Sequence, residues 1–447
     1  MSATSRVTVA ATGAAATILV ARLLGPGGTG AYAIAQTLIL LLTVATTLGV
    51  EHGIAYYVST RRWEAAAAYR SSQRVALVSG VAGALLALLA RLVVPSAFDG
   101  LSVEVTVAAA AALPFALAWF YATYVALAVD RYEAYALPPA LQSTLALLLV
   151  GALAALDGVR GAVIGFSAAH LLTAVAVWAS ARRVLLPPPA APHDAAPPGP
   201  LRRAIRFGVK GYASNALQML NYRLDVFVLA SVATAADVGH YAVAVAVTGV
   251  MWLLPGAISE VLFPRIASLG AREDAHGEQL RAFVEAKSLR HTVVIVLASS
   301  AVLALALVTL VVPVYGEDFR AAVGLGLILL PGVALIGLSG PLSASFVGRG
   351  HPGYSLAIAL VTTPLTIALY LLLIPALDAT GAALASTISY ATTFVLAAVF
   401  NRRVTRTPVL PRLVPTRSEL ADYRALAPAI RAWLGSMRAR AFGRSAL

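Results

Sequence analysis

The sequence predicts an all-α polytopic membrane protein with twelve transmembrane helices, arranged as two parallel six-helix bundles around a central cavity. The first observation is composition: 60% of the residues are hydrophobic and 12% are charged, whereas soluble domains are about 45–50% apolar and about 25% charged. The second is an internal repeat, in which Gly30-Ala31-Tyr32-Ala33-Ile34-Ala35 recurs in the second half as Gly239-His240-Tyr241-Ala242-Val243-Ala244. The third is a series of apolar stretches long enough to cross a bilayer as helices.

Twelve segments of the chain are predicted to span the membrane, six in each half. They cover roughly residues 7–24, 31–51, 74–94, 105–128, 138–156, 161–181, 207–231, 239–258, 291–312, 321–340, 354–374 and 380–400. Later echoes extend the repeat, because Leu156-Asp157 matches Leu377-Asp378 and Arg182-Arg183 matches Arg402-Arg403. An even number of spans gives both halves the same orientation, so the repeat is predicted to be parallel.

Basic residues are concentrated in alternate loops and at the two termini. Of the 33 Lys and Arg residues, only Arg22, Arg91, Arg160 and Arg320 lie on the opposite side, and Arg223 lies within a span. Because Lys and Arg are retained on the cytoplasmic side, we expect a multi-pass protein of the cell membrane with both termini in the cytoplasm. This distribution accounts for the net charge of +13 without a nucleic-acid partner.

Changes in composition predict four regions. Residues 1–183 form the first bundle, residues 184–203 a Pro-rich cytoplasmic linker, residues 204–403 the second bundle, and residues 404–447 a basic cytoplasmic tail. Apolar residues at three-to-four spacing in the tail are typical of an amphipathic helix at the membrane interface. A loosely ordered basic tail is the alternative interpretation.

The sequence offers little for catalysis. It has no cysteine, which excludes thiolate catalysis and thiolate metal sites, and no metal site, catalytic residue or cofactor is predicted. Residues Gly25 to Gly30 formally match a GxGxxG motif, but membrane helices flank it where a dinucleotide site needs a strand. We interpret it as a tight outer turn that lets two helices pack closely. We therefore predict that the protein is not an enzyme.

Polar residues within helix 7 are the strongest candidates for a functional site. Asn221, Arg223 and Asp225 lie near the middle of the span, with Asn215 and Gln218 below them. Ionisable groups in hydrocarbon are costly and usually face a polar cavity. Arg223 and Asp225 are two residues apart and do not share a helix face. Two interpretations stay open: a structural ion pair between helices, or a cation and its counter-ion lining a cavity.

Four further residues are candidates with clear structural alternatives. Arg22, near the outer end of helix 1, lines the cavity or extends to the outer headgroups. Glu51 and Glu260 occupy matching positions in the repeat and form a gate contact or are interfacial packing residues. His170, in the middle of helix 6, couples proton movement to transport or is a hydrogen-bonded structural histidine. Asp225 is a second candidate for coupling, and the coupling ion is not identified.

Three groups of motifs carry a resemblance to a known family. They are Ala21-Arg22-Leu23-Leu24-Gly25-Pro26 with Gly30-Ala31-Tyr32; Asn221-Tyr222-Arg223-Leu224-Asp225 with Val238-Gly239-His240-Tyr241 and Leu262-Phe263-Pro264-Arg265; and Leu373-Ile374-Pro375 with Gly381-Ala382-Ala383-Leu384-Ala385-Ser386-Thr387-Ile388-Ser389-Tyr390. Over roughly residues 5–403, their order and spacing resemble the polysaccharide and O-antigen flippases of the multidrug/oligosaccharidyl-lipid/polysaccharide (MOP) exporter superfamily.

The resemblance implies two bundles around a central cavity, alternating access, and transport of a lipid-linked oligosaccharide. It implies that Arg22 and Arg223 line a cationic cavity for the lipid's pyrophosphate. The implied partners are the lipid-linked glycan, membrane lipids, and glycosyltransferases or a polymerase of the same pathway. A cation-coupled multidrug exporter of the same fold is the alternative. A lipid II-type flippase is less favoured, because the extra helix pair typical of those proteins is not predicted.

Overall fold

The computed structural model describes residues 3–47, 49–98, 100–181, 200–270 and 275–416, together with Glu419, Tyr423 and Pro428; the side chains of residues 3, 200, 209–215 and 275 are not described. The α-helices are α1 (Ala3–Thr47), α2 (Val50–Ser59), α3 (Ala65–Val93), α4 (Val103–Ala111), α5 (Leu113–Ala128), α6 (Tyr132–Ser180), α7 (Pro200–Val232), α8 (Ala235–Gly249), α9 (Leu253–Gly270), α10 (Ala275–Tyr315), α11 (Arg320–Gly348) and α12 (Gly353–Thr405). Over the described ranges there is no β-strand. The predicted all-α fold class is confirmed.

In the part of the chain that the structure describes, eight continuous helical stretches are long and apolar enough to cross a membrane. Three of them, α1, α6 and α12, contain a break in helical geometry and so hold two predicted spans each. Counting the two parts of each broken helix and adding α7, the segments agree with the twelve predicted spans. The boundaries differ mainly at the predicted cytoplasmic ends, where α9 continues to Gly270 and α10 begins at Ala275. Both helices therefore extend beyond the predicted spans.

The helix breaks occur where the sequence permits unusual backbone angles. In α1 the break is at Gly25, with φ 65°, directly before Pro26. In α6 it is at Asp157-Gly158, and in α12 at Asp378, with φ 49°. Glycine adopts positive φ without a steric penalty, and Asp tolerates it better than most residues. The repeated Leu-Asp pair thus marks equivalent turns in the two halves.

The two copies of the repeated motif pack against each other. A Cβ on Gly30 would overlap the backbone carbonyl of Ala235, and a Cβ on Gly239 would overlap that of Pro26. Pro26 and Ala235 each precede their glycine by four residues, so the contact is reciprocal, as it is across a two-fold axis. Glycine permits this close approach of two backbones because it has no side chain. The repeat is therefore an interface between the halves.

The described chain divides into two compact units. The first contains Met1–Val250, Leu303–Gly332 and Ala359–Ser389, and the second contains Met251–Val302, Val333–Ile358 and Tyr390–Leu447. The predicted division into bundles at residues 1–183 and 204–403 stays a prediction. Helix α7 begins at Pro200, and the rest of the predicted linker lies outside the described residues. So does most of the predicted tail helix.

A buried network of ion pairs and hydrogen bonds connects helices of the second unit. Glu285 is almost completely buried and accepts hydrogen bonds from Ser345 Oγ (2.8 Å) and Arg349 Nε (2.6 Å). Arg349 also donates to Glu278 (2.8 Å), and Arg412 Nη2 lies 3.7 Å from Glu285. Burial lowers the pKa of Arg349, but the hydrogen bonds and charges of Glu285 and then Glu278 outweigh it and raise the pKa above its ordinary value. The network joins α10, α11 and the segment after α12.

We expect Glu285→Ala to lower the free energy of unfolding by about 3 kcal/mol, the low end of the range for breaking a buried pair. The loss is at the low end because Glu278 still pairs with Arg349. Thermal or denaturant unfolding of the detergent-solubilised protein measures it. Glu317→Ala is the control, since its pair with Arg320 is largely exposed and such pairs contribute about 0–1 kcal/mol. Equal losses for both variants would contradict the expectation.

Candidate functional site

Helix α7 directs two predicted site residues to the same buried face. Asn221 and Asp225 are four residues apart, so they lie one turn apart on one side of the helix. Their exposed fractions are 5% and 2%. A buried amide and a buried carboxyl group are unfavourable unless they are hydrogen-bonded. Their partners therefore define the site.

The carboxyl group of Asp225 anchors a chain of hydrogen bonds between three helices. Its Oδ2 accepts a hydrogen bond of 2.6 Å from the hydroxyl of Tyr241 on α8, and its Oδ1 accepts one of 2.8 Å from the backbone N–H of Val226. The Tyr241 hydroxyl also lies 3.1 Å from Oγ of Ser386 on α12. The Ser386 Oγ is in turn 3.1 Å from the hydroxyl of Tyr370. Both tyrosines and the serine are fully buried.

The amide of Asn221 extends this network in the other direction along α7. Its Nδ2 donates to Ser389 Oγ (3.4 Å), and Ser389 Oγ lies 2.5 Å from Thr366 Oγ1. The hydroxyl of Tyr370 donates to the Asn221 backbone carbonyl (3.3 Å), which closes the network. Within the described residues, Asn221 Oδ1 has no hydrogen-bond partner. A buried acceptor without a donor marks a place where a water, a proton donor or a small cation would be favourable.

Arg223 lies on a different face of α7, as the two-residue spacing predicts. It is half-buried, and among the described residues no hydrogen bond or ion pair to its guanidinium group is seen. Gln218 is exposed and donates to the hydroxyl of Tyr222 (3.0 Å), while the side chain of Asn215 lies outside the described part of the chain. The structure therefore joins Asn221 and Asp225 through one network and places Arg223 on another face of α7.

Arg22 lies away from this network, at the end of α10. It is exposed, and its Nε donates to the carbonyl of Val314 (2.7 Å) while Nη2 donates to that of Pro313. The backbone of Gly316 is next to Nη1, because a Cβ there would lie 3.9 Å from it. The contact with these backbone carbonyls was not predicted, and the two roles proposed from the sequence for Arg22 stay predictions.

The remaining predicted residues occupy separate places. Glu51 is buried in the first turn of α2; its Oε1 lies 3.3 Å from Nδ1 of His52, and its Oε2 has no hydrogen-bond partner among the described residues. Glu260 is exposed on α9. Nδ1 of His170 accepts a hydrogen bond of 3.1 Å from the indole N–H of Trp119, whose ring stacks on it. This is the arrangement of a hydrogen-bonded structural histidine, and the coupling role stays a prediction.

The network partners on α8 and α12 were not predicted as site residues. Tyr241 belongs to the repeated motif, and Ser386 and Ser389 belong to a motif of the last helix. In the sequence these three residues indicate only the family resemblance. A usable signal was present, because Tyr370 with Thr366 and Ser389 with Ser386 place hydroxyl groups three or four residues apart in apolar spans. Nothing in a single sequence pairs those faces with α7.

Comparison with known proteins gives one family and one fold. The sequence model of the family described as polysaccharide biosynthesis protein matches residues 19–324. The chain is similar in structure to the lipid II flippase MurJ in its inward closed conformation, with a TM-score of 0.73, 13% identity, and coverage of 92% of this chain and 88% of that chain. A multidrug resistance MATE family transporter of the MOP superfamily is similar in its inward-facing conformation, with a TM-score of 0.64, 17% identity, and coverage of 89% and 94%. Among curated proteins, no sequence matches the chain significantly.

Proposed function

The chain belongs to the polysaccharide biosynthesis protein family, and on this premise we propose that it flips a lipid-linked oligosaccharide from the cytoplasmic to the outer leaflet. The substrate is a glycolipid of the polyprenyl-pyrophosphate type, carried by alternating access for the assembly of a surface polysaccharide or glycan. The protein is a multi-span membrane protein with the fold of the MOP transporters. The structurally similar proteins are a lipid II flippase and a multidrug transporter, and this similarity supports a role without catalysis.

Arg223 is the observation that carries the proposal. A cationic side chain on a membrane helix is costly unless it meets a partner or water, and Arg223 is half-buried with no partner among the described residues. The guanidinium group binds phosphate oxygens in a bidentate manner. A pyrophosphate and its sugars cannot cross hydrocarbon without substitute contacts, because desolvating them is prohibitive. A guanidinium group on this membrane helix offers such contacts.

The charge distribution supports a direction for this movement. With the Arg-rich loops and both termini in the cytoplasm, the glycolipid is received where it is synthesised and released at the opposite face. The proposed partners are the lipid-linked glycan, membrane lipids, and glycosyltransferases or a polymerase of the same pathway, with no nucleic acid. No cofactor is proposed, and Asp225 is the residue that we propose for coupling to an ion or proton.

Arg223→Ala is expected to lower polysaccharide export by about 10–100-fold, because a hydrogen bond to a charged group contributes about 1.5–3 kcal/mol and 1.4 kcal/mol is a tenfold change. Export is measured as surface polysaccharide in a deletion strain, with membrane insertion checked by fractionation. Arg160→Ala is the control, since Arg160 is exposed near Glu104 and Asp157 and should leave export unchanged. Normal export by the inserted Arg223→Ala protein would contradict the proposal.

A cation-coupled multidrug exporter is the second candidate. The observation that favours it is the buried carboxyl group of Asp225, held by Tyr241 in a fold shared with MATE transporters. Drug susceptibility of a deletion strain separates the candidates. Loss of polysaccharide with unchanged susceptibility supports the glycolipid, and the reverse supports the drug exporter. A lipid II-type substrate stays less favoured, because the extra helix pair typical of lipid II flippases is not predicted. The similarity to MurJ, at 13% identity, shows a shared fold and does not identify the substrate.

A further inference from the structure

At the C-terminus of α10, Arg22 donates hydrogen bonds to backbone carbonyls that have no partner within the helix. The last four carbonyls of an α-helix have no partner inside the helix. At the end of α10, the Val312 carbonyl accepts from the N–H of Gly316 (2.8 Å), which adopts a φ of 117°. The next two carbonyls, of Pro313 and Val314, accept from the guanidinium group of Arg22. One side chain from the first half therefore caps a helix of the second half.

The position of Arg22 in α1 places this cap next to a helix break and to the contact between the two halves. Arg22 lies three residues before the break at Gly25. Directly after the break, Pro26 and Gly30 make the close backbone contact with α8. Helix α8 also contacts the turn after α10, because Nε2 of His240 lies 2.8 Å from the carbonyl of Asp318 in that turn. At this predicted outer end the two halves are joined by backbone packing and by Arg22, while His240 connects α8 to the same turn within the second half.

The cap is strong enough to hold this end and weak enough to be released. A cation at a helix C-terminus interacts with the partial negative charge of the helix dipole, and both hydrogen bonds go to neutral carbonyls. The charged donor strengthens these bonds too, but a phosphate adds an ionised acceptor and a bidentate geometry that neutral carbonyls lack. Arg22 is exposed, so a phosphate can reach it, and water can solvate the carbonyls that it leaves.

We propose that Arg22 is a latch on the predicted outer end, which closes by capping α10 and opens when its guanidinium exchanges the Pro313 and Val314 carbonyls for the diphosphate of the carried lipid. The latch itself follows from the contacts of Arg22. The exchange step rests on the proposed function, because it needs a substrate with a diphosphate. Arrival of the headgroup at the outer end would then itself release the contact that keeps that end closed.

The absence of native cysteine allows a direct test with one introduced thiol. Val238 is fully buried in α8, beside the glycine that contacts Pro26. In a Val238→Cys background, we expect Arg22→Ala to raise the rate of labelling by a membrane-impermeant maleimide about tenfold, which corresponds to 1.4 kcal/mol. Arg22→Lys, with one ammonium group for two carbonyls, should give an intermediate rate. Arg160→Ala should leave the rate unchanged.

A ligand arm tests the exchange in the same background. Polyprenyl diphosphate in the liposome membrane should raise labelling when Arg22 is present and have no effect on the Arg22→Ala protein. Equal labelling of the Arg22 and Arg22→Ala proteins, with both shown to be folded by thermal unfolding, would overturn the latch. An effect of Arg22→Ala without any effect of the diphosphate would overturn the exchange step. Polysaccharide export by the parent chain, measured separately, decides whether the proposed function fails with it.

Discussion

Gly30→Ala is expected to lower the free energy of unfolding by about 1–3 kcal/mol, the usual cost of overpacking. The added methyl group would overlap the carbonyl of Ala235, and a backbone atom cannot rotate away as a flexible side chain does. Thermal unfolding of the detergent-solubilised protein measures the change. Gly27→Ala is the matched control on the same segment, because a Cβ there meets no atom within 4 Å. It should be neutral or stabilising by up to about 1 kcal/mol, the difference in helix propensity.

The reciprocal contact makes the double variant informative. Gly239→Ala should destabilise the protein about as much as Gly30→Ala, because the two glycines meet equivalent carbonyls. Once one methyl group has moved the backbones apart, the second has less to displace, so the two losses should not add. A double variant whose loss equals the sum would show that the glycines act at separate contacts, against the two-fold arrangement. Labelling of Val238→Cys should rise in both single variants.

The sequence predicted the fold because its strongest signals are local or repeated. Apolar length identifies spans without knowledge of their neighbours, and the Gly-Ala-Tyr repeat identified the two halves. The predicted turn at Gly25 is a helix break with positive φ. The repeat could not reveal that its two copies touch, because a contact between Gly30 and Ala235 depends on how whole helices pack.

The site was predicted only as far as one helix reaches. Spacing along α7 predicts that Arg223 and Asp225 lie on different faces, and the structure adds that Asn221 shares the buried face of Asp225. The partners Tyr241, Ser386 and Tyr370 come from α8 and α12, and periodicity cannot pair faces of distant helices. The helix-capping contact of Arg22 was missed for the same reason, since the end of α10 is far away in sequence. Contacts between residues on helices that are distant in sequence can be identified only from the three-dimensional structure.

Asp225→Asn is expected to reduce transport by at least about tenfold while changing the free energy of unfolding by about 1 kcal/mol. The amide oxygen can still accept from the N–H of Val226, and the new NH₂ group can donate to the hydroxyl of Tyr241, whose proton can turn to Ser386. The loss of stability is therefore the difference between charged and neutral hydrogen bonds. An amide, however, cannot bind and release a proton or balance the charge of a cation. If Asp225 is the coupling group, transport therefore loses its driving force in a protein that remains folded. Transport in proteoliposomes and thermal unfolding measure the two effects separately.

Tyr241→Phe removes the hydrogen-bond donor and keeps the carboxyl group. It should therefore lower the free energy of unfolding more, and transport less, than Asp225→Asn does. One oxygen of a buried carboxyl group loses its side-chain partner, which costs about 1–3 kcal/mol. Tyr370→Phe is the matched control, because it removes a hydroxyl of the same network that contacts Ser386 and the Asn221 carbonyl. If Asp225→Asn lost stability like Tyr241→Phe and retained transport, the carboxyl group would be a structural anchor for α8. Its charge would then have no part in moving the substrate, and the coupling group would have to lie elsewhere.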